Sequence, residues 1–348
     1  MGELPQAVPE GPLRSFVSLG MFIIDQFSYL DENGHPTAKS SSEQIGGGGT
    51  YATIGARIWL PPHEVGMIVD RGHDFPSNIQ SRLDSYGEGM WLYRDDASRG
   101  TTRALNEYRG DLRGFKYLTP RVRITPRDLI DTTLDRPNML HFICSPSRAS
   151  AIMSEVHERE SWTPTSIYEP IPDRCVPEEL PALIKVLPFI SILSPNADEA
   201  HALLSMPQPP TKASVEEACQ RFLNLGVGPN GEGAVVIRSG AMGAYVATRA
   251  KGGQWVPAYW GAHEAHRVVD VTGAGNAFLG GLAAGLHFTR GDVYKATLYA
   301  TVSSSFIIEQ EGLPILSRRE EANGTIVELW NGETPQSRLE LLMDTKVI

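Results

Sequence analysis

Apolar positions along the chain fall into short runs parted by turn residues, and the runs alternate between strand-like and helix-like spacing. "SFVSLGMFIIDQF" (15–27) crowds β-branched and aromatic residues into a few positions, which predicts a strand. "GGGGTYATIGARIW" (46–59) reads as a glycine loop entering a helix, and "EVGMIVDRGHDF" (64–75) as a buried strand with a turn. Strands recur at "MLHFIC" (from 139), "TSIYEP" (165), "FISILSPN" (189), "GAVVIRSG" (233) and "GAYVATR" (243). Helices are predicted between them, among them "SRASAIMSEVHERE" and "SVEEACQRFLNLG", the second opening with a Ser-x-x-Glu capping box at Ser214 and Glu217. Strands alternating with helices predict an α/β fold with a largely parallel sheet covered on both faces.

Two stretches break that alternation. "SYLDENGHPTAKSSSEQI" (28–45) carries turn chemistry at Glu32-Asn33-Gly34-His35-Pro36 and predicts a polar hairpin, with Ser40, Ser41, Ser42 and Glu43 on it. The stretch 86–118 alternates without a helical stripe, and the two together predict a two-part β lid over about 26–45 and 86–118. Residues 1–14, rich in Pro, Gly and Glu, are expected to be a flexible leader to a single domain over 15–348.

Composition narrows the function classes. The 31 Lys and Arg against 41 Asp and Glu give a net charge of −10, and no dense basic run exists to neutralise a nucleic-acid backbone, so nucleic acid is not expected as a partner. No uninterrupted apolar stretch approaches the roughly 18 residues of a membrane span. The start lacks the pattern of a secretory signal, and the three cysteines (Cys144, Cys175, Cys219) cannot form a disulfide framework, which suits a reducing compartment. A cytoplasmic location is expected.

"DVTGAGNAFLGGLAAGL" (270–286) carries the chemistry. Gly273, Ala274 and Gly275 precede a helix expected to begin near Asn276 or Ala277, where bare backbone amides and the helix dipole make an anion site. The alternative is that the small residues only allow close helix–sheet packing. "SPNADEA" places Asn196 and Glu199 at a strand end, suited to a water-rich magnesium shell or simply to a helix N-cap. "VVIRSGAMGAYV" presents Ser239, Gly240 and Gly243 in what is also an ordinary hairpin turn, and Asp25 ends a strand five residues after Gly20.

These motifs, in this order, resemble those of the ribokinase-like, or pfkB, family of carbohydrate and nucleoside kinases. The resemblance implies a three-layer αβα fold with a mostly parallel central sheet and a small β lid. Phrases such as "IGGGGTYATIGAR", "YEPIPDRC" and "GAGNAFLGG" are most similar to a divergent fungal branch described as killer-virus maintenance proteins. Carried over by motif, Gly273, Ala274 and Gly275 are the anion hole. Asp25, Gly47, Gly48 and Tyr51 face the substrate, and Asn196, Ser239, Gly240 and Gly243 the nucleotide. Glu199 acts on hydrated magnesium, and Asp270 belongs to a loop that takes a monovalent cation. ATP and Mg²⁺ are the implied cofactors, a small molecule the implied partner, and lid pairing implies a homodimer, against a flap that serves one subunit.

Three departures stand out. The glycine motif places Thr50 or Tyr51 near the sugar-contacting Asn of the family and is one residue short. Ile23 stands where a polar sugar contact is expected, which disfavours a compact pentose. Asn276 replaces the family's general-base Asp, and a carboxamide cannot accept a proton at neutral pH. Losing such a base costs on the order of 10²–10⁴ in rate, while positioning and the anion hole remain. Three readings stay open: a small-molecule kinase, a nucleotide- and metabolite-binding pseudokinase, and a diverged enzyme using the anion site for other chemistry.

Overall fold

The structure is a computed structural model and describes residues 14–31, 35–37, 42–109 and 112–346. The chain runs through β1 (Phe16–Ser18), β2 (Ile23–Leu30), β3 (Ser42–Gly46), α1 (Gly48–Arg57), β4 (Val65–Gly72), α2 (Ser77–Asp84) and β5 (Trp91–Asp96). It continues with β6 (Arg103–Arg109), β7 (Leu112–Tyr117), β8 (Met139–Cys144), α3 (Pro146–His157), β9 (Thr165–Pro170), α4 (Leu180–Val186) and β10 (Ile192–Leu193). Next come α5 (Ala197–Leu203), α6 (Lys212–Leu225), β11 (Ala234–Arg238), β12 (Ala244–Thr248) and β13 (Gly252–Val256). The last elements are α7 (Ala274–Thr289), α8 (Val293–Ile307), β14 (Leu316–Glu320), β15 (Ile326–Trp330) and α9 (Pro335–Lys346).

Nine strands form one sheet in the order β13-β12-β11-β10-β9-β8-β1-β4-β5. From β5 to β11 every neighbour is parallel, and the antiparallel pairs are β11–β12 and β12–β13. Side chains alternate between two buried cores, as a strand covered on both faces requires. Phe16, Met67, Met139, Ile167 and Val236 join one core with residues of α1, α2, α7, α8 and α9. Val17, Ile68, Leu140, Tyr168 and Val235 join the other with residues of α3, α4, α5 and α6. The result is the expected three-layer αβα architecture. Its strand order reverses between β1 and β8, a switch point that opens a crevice at the strands' carboxyl ends.

A second sheet, in the order β3-β2-β6-β7, stands beside this crevice. Its strands β2 and β3 pair antiparallel from Ile23↔Gly46 to Phe27↔Ser42, so it starts earlier than residue 26. The expected lid segment 86–118 is divided: β6 and β7 join the small sheet, whereas β5 pairs in parallel with β4 at the edge of the central one. Alternation gives both stretches strand character, and only tertiary pairing decides the sheet. The turn at Glu32, Asn33 and Gly34, and Ser40 and Ser41, lie outside the described residues, as does the leader up to residue 13.

Arg14 corrects the end of that leader. It is buried, and its guanidinium donates to the carbonyls of Thr133, Pro62, Val65 and Gly89. Helix α6 also starts earlier than read: Thr211 is its N-cap and shares a capping box with Ser214, while Glu217 lies a turn further on and pairs with Arg221. The segment at 189–196 holds only a two-residue strand, since a 3-10 turn ends at Phe189 and Pro195 follows. Among the described residues no helix is long and apolar enough to cross a membrane.

Candidate active site

Helix α7 begins at Ala274, two residues before the expected start. Gly273 enters it in the left-handed region (φ 78°, ψ −7°), a conformation that favours glycine, and the Tyr51 ring occupies the space a side chain would need. Asn276 is therefore the third helical residue. No side chain caps this first turn and no acidic residue sits in it; the Ala274 amide bonds back to the Val271 carbonyl at 3.2 Å, and the positive end of the dipole is left to the amides after it. The packing alternative is also met further along. A side chain at Gly280 would collide with the Ala52 carbonyl, which lets α7 lie tightly on α1.

Opposite this turn, the central sheet presents a line of polar side chains, all but His141 at or next to the strands' carboxyl ends. Ser18, His141, Glu169 and Arg238 follow the alternation of β1, β8, β9 and β11 onto the α7 side. Ser18 Oγ and His141 Nδ1 lie 2.9 Å apart, and His141 Nε2 is 3.8 Å from Glu169 Oε2. Asn276 Nδ2 donates to the same Glu169 oxygen at 2.7 Å. Arg238 Nη2 lies 2.9 Å from Glu169 Oε1, donates to the Ser194 carbonyl, and is 3.6 Å from Glu199 Oε2. Its other terminal nitrogen packs on Gly275, where a side chain would collide with it.

One guanidinium thus stands between two buried carboxylates, and they respond differently. Burial pushes the Glu169 carboxyl up, but Arg238, His141 and Asn276 together outweigh it and hold Glu169 below its ordinary range. Glu199 is pushed up to about 7 by burial, with Arg238 opposing and the nearby Glu169 reinforcing. The Arg238 charge serves Glu169 first.

A cavity of about 380 Å³ opens beyond Gly48, which neighbours Asn276. Leu19, Gly20 and Met21 after β1, Ile143 to Ser145 at the end of β8, and Ile23 and Tyr117 of the small sheet line it. It therefore sits at the switch point between β1 and β8. Gly48 is part of its wall, and a Cβ there would lie 3.1 Å from Asn276 Nδ2.

The description "pfkB family carbohydrate kinase" matches residues 163–318, which include Glu169, Glu199, Arg238 and Asn276. The chain is 35% identical to an uncharacterised protein of Schizosaccharomyces pombe, over 93% of this chain and 91% of that protein. It is 33% identical to protein MAK32 of Saccharomyces cerevisiae, over 94% of this chain and 91% of that protein. This chain belongs to the pfkB carbohydrate kinase family. The ribokinase of Arabidopsis thaliana, solved with ribose and ATP, shares the fold at 17% identity with a TM-score of 0.65, covering 95% of this chain and 99% of that one.

Measured against pfkB motifs, the structure brings most of the read residues near one another but uses several of them locally. Asn196 and Glu199 form a reciprocal capping box on α5: Asn196 Oδ1 accepts the Glu199 amide at 2.8 Å, and Glu199 Oε2 accepts the Asn196 amide at 2.7 Å. Ser239 flanks a 3-10 turn over Gly240–Met242, and Gly243 closes it into β12. Asp25 is buried, with Asn106 Nδ2 donating to it and with Gly46 leaving room for its carboxylate. Gly47 enters α1 at φ 90°, Gly48 lines the cavity, and Tyr51 is buried beneath Gly273 rather than on the cavity wall. Burial, with Asp25 and Asp270 nearby, drives the Tyr51 hydroxyl upward, so it stays protonated.

The donor set does not fit a directly held metal. Among the described residues no group of three or more His, Cys, Asp or Glu is placed to hold one. The Glu199 oxygen in question already faces the Asn196 amide and the Arg238 cation, and Asp270 turns its carboxylate onto the Thr272 amide at 2.9 Å. The uncapped α7 turn beside Arg238 does fit an anionic phosphate.

Sequence reading passed over Ser18, His141, Glu169 and Arg238. The available signal was chemical: Glu169 and Arg238 are charges of opposite sign ending strands predicted to be buried on both faces, and such charges must find partners. Cys144 is buried, and burial pushes its thiol up to about 12.

Proposed function

We propose that this pfkB chain is an ATP-dependent phosphotransferase acting on a hydroxyl of a small sugar-, nucleoside- or polyol-like molecule. The observation that carries the reading is the position of Asn276: it lies on the uncapped turn of α7, beside Gly48 of the cavity wall, and donates to the Glu169 carboxylate. The acceptor occupies the cavity, with Asp25, Gly47, Gly48 and Tyr51 shaping that side. The turn at Gly273, Ala274 and Gly275 receives the charge that develops on the transferred group, through the amides not bonded to the Val271 carbonyl. Asn196, Ser239, Gly240 and Gly243 border the nucleotide, in line with the ATP named for the Arabidopsis ribokinase. Glu199 would hold a nucleotide-borne magnesium ion through water, and the ion would offset phosphate charge. The β3-β2-β6-β7 sheet acts as a lid and, by the same reading, pairs two copies; a monomer by light scattering overturns that part.

Asn276 has a physical reason here. It must donate to an ionised Glu169, and an aspartate in its place would set two carboxylates against each other. The acidic group that the family carries on the helix has a counterpart one side chain away on β9.

The test is transfer from labelled ATP across a sugar, nucleoside and polyol panel, alongside thermal shift with ATP or ADP. Transfer by the wild type, lowered by Glu169→Gln, is expected. Asn276→Asp is expected to cost about 1.5–3 kcal/mol of stability, because a charge-assisted hydrogen bond becomes a like-charge contact. A second reading, a nucleotide- and metabolite-binding pseudokinase, is favoured by the fixed Arg238 cation against Gly275 and by the missing base. Nucleotide stabilisation without transfer, and transfer gained in Asn276→Asp/Glu169→Asn, supports that reading. No stabilisation by millimolar nucleotide overturns both.

A further inference from the structure

The cavity beside Asn276 is lined by four arginines, Arg121, Arg123, Arg148 and Arg174, against one carboxylate, Asp173, in a chain whose net charge is −10. Such a local reversal of sign focuses anions. Among the described residues, Arg121, Arg123 and Arg148 have no carboxylate within ion-pair distance. Arg121 lies over the Tyr117 ring at 4.8 Å, Arg148 donates to the Ile124 carbonyl at 2.9 Å, and Arg174 pairs with Glu179 at 3.3 Å. Burial lowers the Arg148 pKa and Arg123 adds to the effect, against the opposing influence of Cys144, Glu155 and Asp128, so this half-buried cation stands beside another cation.

A second feature points the same way. Helix α3 starts at this cavity: Ser145 is its N-cap, and Ser147 and Arg148 of its first turn line the space. The positive end of a 12-residue helix therefore adds to the guanidinium charge. Leu19, Ile23, Ile143 and Ile171 supply apolar wall, enough for a small carbon skeleton.

We propose that the acceptor is anionic, a polyhydroxylated small molecule carrying a phosphomonoester or a carboxylate, with the arginines around Arg123 and Arg148 holding that group. This rests on reading the cavity as the acceptor site. Both head groups take bidentate hydrogen bonds from guanidinium, and the phosphomonoester offers more acceptor oxygens and charge. The loss of polar sugar contact at Ile23 is consistent with recognition through charge rather than through every hydroxyl.

The experiment is calorimetric titration of the full chain without nucleotide, using ribose 5-phosphate, gluconate and ribose at low and moderate salt. One or both anionic probes are expected to bind at least on the order of tenfold tighter than ribose, and to weaken as salt rises. The tighter of the two identifies the head group. Arg123→Glu, an exposed substitution that leaves the core alone, and Arg148→Ala are each expected to weaken the anionic probe by about tenfold or more while sparing ribose. Ribose binding as tightly as both anions, or both variants binding like the wild type, overturns the proposal. Because no nucleotide is present, failed phosphate transfer leaves this result untouched, whereas a ribose preference in a nucleotide-binding protein sinks this inference alone.

Discussion

The sheet face beside the first turn of α7 and the cavity beyond Gly48 hold arginine in opposite ways. On the sheet side, Arg238 is nearly buried, flanked by Glu169 and Glu199 and bonded to the Ser194 carbonyl. On the cavity side, Arg121, Arg123 and Arg148 are half-buried or exposed and have no such carboxylate. A buried ion pair adds little net stability once desolvation is counted, but it fixes geometry, and removing one partner is costly. Hydrated, unpaired cations cost little to keep and gain when an anion arrives. The sheet side is thus built to hold Asn276 and the helix turn in place, and the cavity side to receive a ligand.

The sharpest break of this contrast is the same truncation on each side. Arg238→Ala leaves Glu169 and Glu199 buried without their cation, and an unfolding free energy lower by about 3–5 kcal/mol is expected in urea titration. Arg123→Ala is expected to change stability by no more than about 0.5 kcal/mol. Equal effects would erase the distinction. A smaller effect comes from pH. The raised Glu199 pKa favours the folded state while the group is protonated, so its contribution is complete below the unfolded value near 4.5 and is lost as pH rises through about 7. Glu199→Gln removes that titration. Its stability relative to the wild type is expected to improve by about 1–3 kcal/mol between pH 5 and pH 8. A flat difference would mean that Arg238 holds both carboxylates ionised.

The contrast also explains what could be read in advance. Strands β1, β4, β8, β9 and β11 were legible because apolar residues bury both faces and leave a run with few alternatives. Element ends were not. Gly-Ala-Gly has little local reason to be helical, yet α7 includes Ala274 and Gly275 because Gly273 sets the entry angle and the helix packs on α1. Strand β5 was legible as a strand but not as an edge of the central sheet, since alternation does not say whether it pairs with β4 across α2 or with the following β6. At the site, the glycine turn and Asn276 announced themselves by motif. Glu169 and Arg238 lie 69 residues apart and meet only because β9 and β11 end on one face. The cavity arginines come from four separate positions between 121 and 174, with no shared periodicity.

The smallest expected effect tests the cavity side at its helix. Ser145 caps α3 by accepting the Arg148 amide at 3.4 Å, a long bond, so Ser145→Ala is expected to cost about 0.5 kcal/mol, the low end for a lost cap. On the sheet side such a loss would be independent of ligand. Here the amide that Ser145 releases lies in the first turn of a helix that opens on the cavity, where a bound anion accepts hydrogen bonds in the serine's place. The destabilisation is therefore expected to shrink when the anionic probe saturates the protein. Thermal unfolding of wild type and Ser145→Ala, with and without saturating probe, measures the difference. An unchanged gap would mean that the anion is held by the guanidiniums alone and that the α3 dipole contributes only field, without direct contact.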